Sequence, residues 1–136
     1  RDHCLALTSE GHVFAWGAGG RGQLGLGDAR NRGVPTLVKA LRRRASDVGC
    51  GASHSTALMT GGSVYTWGCN DEGALGREGA ENTPIIVDAL KDEPMTNISA
   101  GDSHTIAYNT QANKMFYWGC YRVSNFINNS ICDLIG

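Results

Sequence analysis

The chain repeats itself. His3, His54 and His104 stand 51 and 50 residues apart, and each is followed 13 or 14 residues later by a Trp-Gly pair: Trp16-Gly17, Trp67-Gly68 and Trp118-Gly119. A period near 50 residues marks an array of supersecondary units, none of which can bury its apolar face alone. Function in such an array is to be sought where one copy departs from the others. The 136 residues hold about two and two-thirds periods, in units of approximately 1–49, 50–99 and an incomplete 100–136. The chain is therefore expected to be a slice of a longer polypeptide.

Aligning residues 3–28 with 54–79 shows what each copy contains. Identities fall at His3/His54, Ala6/Ala57, Leu7/Leu58, Gly11/Gly62, Val13/Val64, Trp16/Trp67, Gly22/Gly73, Leu24/Leu75 and Gly25/Gly76. A strand of the form His-x-x-Ala-Leu precedes a glycine turn. A second strand follows, Val13-Phe14-Ala15-Trp16 or Val64-Tyr65-Thr66-Trp67, rich in the β-branched and aromatic residues that fit a half-buried pleated surface. After Trp-Gly comes a polar Gly-rich loop, then segments led by Pro35 and Pro84, where a proline at a strand start costs no ladder donor. A last strand, Ala45 to Val48 or Thr96 to Ser99, leads into the next Gly-x-x-His. Four short strands per period describe one blade of a β-propeller. The 19 glycines and the absence of sustained helical periodicity point to an all-β fold. So few blades cannot close a ring, and open strand edges predict strand exchange or self-association.

A formal charge of -1 excludes bulk electrostatic attraction to a polyanion as the main theme. No apolar run approaches the ~18 residues of a membrane span, so no membrane partner is expected. Five widely spaced cysteines without a C-x-x-C pattern suit reduced thiols in an intracellular compartment. Arg42-Arg43-Arg44 is the one basic run; it could touch phosphate, although three cations in a loop are ordinarily solvated.

The patterns Gly51-Ala52-Ser53-His54…Ala57-Leu58, Gly62-x-Val64-Tyr65-x-Trp67-Gly68 and Gly73-x-Leu75-Gly76 resemble the regulator of chromosome condensation repeat. That resemblance covers nearly the whole chain and implies a seven-bladed propeller, of which about two to three blades are present. Gly68 to Arg77 and Ser99 to Thr105 resemble adjacent early blades of the family's chromatin-bound guanine nucleotide exchange factors for the small GTPase Ran. The implied partner is a Ran-type small GTPase, with chromatin contacted through parts outside this chain and a nuclear location. No cofactor is implied, because nucleotide exchange makes no covalent bond.

In those exchange factors a β-wedge follows the next Trp-Gly and presses on the GTPase phosphate-binding loop. The matching segment here runs from Tyr121 to Ile127, and the resemblance implies GTPase contact by Tyr121, Arg122, Val123, Ser124 and Asn125. The third copy breaks register there: Ser124 stands where Gly73 did, and no Leu-Gly follows. Where the family's wedge has Asp-Asn-Asn-Gly, this chain has Val123-Ser124-Asn125-Phe126, so altered wedge chemistry is expected. Asp102 matches a family aspartate on the GTPase-facing surface, and Asp71 occupies a loop that carries a functional acid in the family. The first copy has Gly20 at that position. As a turn residue, Asp102 could instead bond backbone amides. The competing function is a non-catalytic propeller module that serves as a protein-binding platform.

Other signals carry less. Gly17-x-Gly19-x-x-Gly22 satisfies a dinucleotide fingerprint, but Gln23-Leu24-Gly25 opens no helix. Asp102-Ser103-His104 is not a nucleophile constellation, because adjacent strand residues point to opposite faces. The recurring histidines lie one copy apart and are expected to make buried hydrogen bonds between strands or blades rather than a metal site. His12 is a solitary turn residue, and the recurring tryptophans are assigned to the core.

Overall fold

The structure, a computed structural model, describes residues 2–121 and 126–135. Its elements in chain order are β1 (His3–Leu7), β2 (Val13–Gly17), β3 (Arg32–Leu37), β4 (Ala45–Cys50), β5 (His54–Met59), β6 (Val64–Gly68), β7 (Ile85–Ile86), a 3-10 turn (Asp88–Leu90), β8 (Asn97–Ala100), β9 (His104–Asn109), β10 (Lys114–Tyr121) and β11 (Phe126–Ile135). They form three antiparallel sheets: β1-β2-β3, β4-β5-β6-β7 and β8-β9-β10-β11. The architecture is the expected all-β partial propeller.

The sheets are out of phase with the sequence repeat. β4 and β8 close one period of sequence yet pair with the strand of the next, through Val48↔Ala57 and Ile98↔Ala107. The first sheet accordingly has three strands among the described residues, and β1 is its edge. A second correction concerns Pro35, which lies inside β3 rather than at its start. β3 is the outer strand of its sheet, and its ladder to β2 shifts register between Ala15 and Gly17. The missing proline donor therefore faces no partner strand.

The cores lie between sheets, not within them. Val13, Ala15, Leu24 and Val38 of the first sheet meet Ala45, Ala57, Met59 and Trp67 of the second. Leu58, Val64, Val87, Leu90 and Met95 of the second meet Ala107 and Trp118 of the third. Side chains alternate along a strand, so Ala57 and Met59 enter one core while Leu58 enters the other. That explains why every residue of β5 is buried, whereas β9 buries only alternate residues. Trp67 and Trp118 are fully buried; Trp16, with no sheet before it in the structure, is half-buried.

The recurring Leu-Gly pair serves this packing. Gly25 and Gly76 take φ of +73° and +66°, and an added Cβ would stand 2.8 Å from Trp67 Nε1 and 2.7 Å from Trp118 Nε1 respectively. Each glycine thus lets a loop of one sheet close over the indole of the next. Only a residue without Cβ meets both the backbone and the contact requirement.

Histidine provides the second coupling between sheets. His3 Nε2 lies 2.9 Å from Ser55 Oγ, and His54 Nε2 lies 3.0 Å from Thr105 Oγ1. Ser55 donates to the Gln23 carbonyl (2.7 Å) and Thr105 to the Ala74 carbonyl (2.9 Å). A hydroxyl has one proton, so each must accept from a protonated Nε2, which fixes the neutral tautomer. The recurring His is therefore an inter-sheet strut. Thr105→Val keeps the shape but strands the His54 N–H and the Ala74 carbonyl. It is expected to cost about 2 kcal/mol, measured as a shift of the urea midpoint. Thr105→Ser should recover most of that loss.

Candidate functional site

Because neighbouring strands run antiparallel, chain reversals fall alternately at two ends of the sheets. One end gathers the loops 18–31, 51–53, 69–84 and 101–103 together with the end of β10 at Tyr121 and the start of β11 at Phe126. The opposite end gathers 8–12, 38–44, 60–63, 87–96 and 110–113. Asp71, Asp102 and Tyr121 all belong to the first end.

The copies diverge at this end. β2 stops at Gly17 and β6 at Gly68, and long loops follow them. β10 instead continues two residues past Gly119 and is paired there with β11, through Gly119↔Asn128, Cys120↔Ile127 and Tyr121↔Phe126. The register break in the sequence thus falls where the β10–β11 strand pair extends beyond the Trp-Gly position. Tyr121 is placed by its backbone; Arg122, Val123, Ser124 and Asn125 lie outside the described residues.

Asp71 and Asp102 line one depression of about 190 Å³, shared with Arg21, Ser53, Glu72 and Ser103. The Asp102 carbonyl accepts from Ala52 N at 3.0 Å, tying the reversal before β9 to the reversal before β5. Asp71 is paired: Arg21 donates to its carboxylate at 2.9 Å and to Cys69 Sγ at 3.3 Å. Both partners are more than half exposed, so the bridge contributes little to stability and remains open to exchange for another charge.

Arg21 and Glu72 are residues that the sequence reading passed over. They occupy the same place in the aligned copies, five residues after Trp16 and Trp67. Each reaches forward to the cysteine of the next copy: Arg21 donates to Cys69 Sγ, and Glu72 lies beside the Cys120 thiol. Desolvation first, and then Glu72, push the Cys120 thiol pKa upward. Cys120 N donates to Ser103 O at 2.8 Å, so the backbone ties the extended end of β10 to the reversal before β9. The signal that could have found this pair was the alignment itself, where a cation and an acid replace one another.

Inter-sheet cores, Trp-capping glycines and histidine struts together define a repeat protein of the propeller class. The model of the regulator of chromosome condensation (RCC1) repeat matches residues 10–58 and 61–108. The chain belongs to that family. It is 42% identical over 128 residues to the human regulator of chromosome condensation, covering 90% of this chain and 30% of that protein. It is also 39% identical over 124 residues to the human E3 ubiquitin-protein ligase HERC2, covering 86% of this chain and 2% of the ligase. Among solved structures, Prp20p from Saccharomyces cerevisiae, characterised for its binding to Gsp1p and histones, superposes with a TM-score of 0.79 at 25% identity, over 96% of this chain and 36% of Prp20p. The chain therefore spans less than a third of the human regulator and a small fraction of the ligase.

Proposed function

We propose that this chain is part of a guanine nucleotide exchange factor for a Ran-type GTPase, with the β10–β11 hairpin as the wedge. The carrying observation is the extension of β10 past Gly119, at the same end as Asp71 and Asp102, where the other two copies end their strand. Similarity to the regulator of chromosome condensation and to Prp20p supports this reading, including a nuclear, histone-associated setting for the whole protein.

Such a factor needs no acid-base pair and makes no covalent bond. It accelerates release by binding the transition state for release more tightly than the nucleotide-loaded GTPase, and each tenfold gain corresponds to ~1.4 kcal/mol. A hairpin that displaces the phosphate-binding loop removes the amides that cradle the phosphates. Asp71 and Asp102 then receive the cationic groups that the phosphate leaves behind, with Asp71 exchanging Arg21 for the new partner.

The test is release of fluorescent GDP from purified Ran by the intact protein, compared with a variant in which residues 121–125 become a short Gly-Ser turn. Exchange should fall by at least about tenfold, equivalent to ~1.4 kcal/mol, with melting temperature retained. GDP release at the wild-type rate rejects the wedge. The similarity to HERC2 favours a second reading, a non-catalytic platform. That reading is supported instead if the intact protein leaves the intrinsic rate of release unchanged.

A further inference from the structure

The end opposite the hairpin carries a second departure from the repeat. The connection 38–44 between the first two sheets holds Lys39, Arg42, Arg43 and Arg44, all exposed, and none has an ion-pair partner among the described residues. At the hairpin end, by contrast, Arg21, Arg30 and Arg32 each pair with a carboxylate. The same connection in the next copy, residues 87–96, carries Asp88, Asp92 and Glu93 against Lys91 alone. Four positive charges in one copy thus correspond to three acids and one base in the next. Of these two connections, the first is net positive and the second net negative.

The cations border a groove of about 310 Å³ whose remaining wall includes Leu37 and Leu41. Leu37 keeps 36% of its surface exposed, and Leu41 is half-buried. Both the charge and the apolar wall therefore face solvent.

We infer that this groove docks a short acidic segment of a partner protein, with one apolar side chain seated between Leu37 and Leu41. Charge complementarity selects the occupant. Unpaired guanidinium groups match carboxylates bidentately, and the apolar wall rewards a side chain that a phosphodiester backbone does not possess. A nucleic acid running across the sheets meets Glu10 on one side and the acidic connection 87–96 on the other. A short acidic peptide engages the four cations within one connection, a span that does not extend to 87–96.

Fluorescence anisotropy of the intact protein with a fluorescein-labelled polyglutamate peptide bearing one central Phe tests the inference. Arg42→Glu/Arg43→Glu should weaken binding by at least about tenfold, and added salt should weaken the wild type while barely affecting the variant. Leu37→Ser, an exposed change that leaves all four cations in place, should weaken the Phe peptide and leave plain polyglutamate unaffected. Circular dichroism melting checks that each variant folds. Three results would overturn the proposal: equal binding by the charge-reversed variant, equal binding of the peptide without Phe, or tighter binding of a duplex oligonucleotide.

Discussion

Trp67→Ala is expected to uncouple the first sheet from the second and to cost about 3–5 kcal/mol. The indole is fully buried in the core that holds Val13, Leu24 and Val38 on one side and Ala57 and Met59 on the other. Its Nε1 has no hydrogen-bond partner among the described residues, so the loss is mainly one of packing. Collapse to refill the space is hindered because Gly25 has no side chain to advance and its loop is held in a left-handed turn. In a repeat array each unit is stabilised mainly by its neighbours, so a broken interface lowers cooperativity as well as stability. Chemical denaturation followed by circular dichroism should show an earlier and broader transition. A loss below about 1 kcal/mol with an unchanged slope contradicts the inter-sheet core.

Acid should destabilise the protein well above the pH at which carboxylates titrate. Burial foremost, and then the charges of His3 and His104, lower the His54 pKa from 6.5 to about 4. His3 is lowered to about 4 as well, again chiefly by burial. The unfolded chain takes up a proton near pH 6.5, while the folded chain resists until about pH 4. Between those values the unfolded state binds more protons, so stability falls as pH drops. For His54 alone this amounts to about 3 kcal/mol across the window. His54→Gln should flatten the dependence of melting temperature on pH between 6.5 and 4, at a cost in stability near neutrality. Identical pH profiles for the two proteins would show that His54 is not buried as a neutral strut. Asp28 acts separately: Arg32 lowers its carboxyl pKa, so any contribution from it is lost only at lower pH.

How far the sequence reached differs between the fold and the site. The strands of the first two copies, the glycine turns and the core role of Trp67 and Trp118 follow from residue types that recur at a fixed interval. The proline-led segment was misplaced in the first copy because the sequence does not reveal which strand of a sheet lies outermost, and only an outer strand tolerates Pro35 within it. Sheet phase was hidden for a similar reason. β4 and β8 close a period of sequence, but hydrogen bonds join them to the strand that follows, not the one before. At the site, the register break after Trp118 was legible as a lost glycine, whereas the forward reach of Arg21 and Glu72 required two loops to be seen side by side.

Periodicity by itself determined that this chain builds repeated four-stranded units, because His, Trp and Gly recur at intervals that only equivalent modules produce. The same residues could not say what they were for. His3 and His54 bond to the adjoining sheet, 52 and 51 residues away along the chain, and Gly25 and Gly76 pack on Trp67 and Trp118 of the next sheet. Tertiary packing alone made Trp67 the floor of an interface, His54 a neutral strut and Arg21 the partner of Asp71. The physical reason is that these contacts depend on the distance between sheets, which sequence spacing does not record.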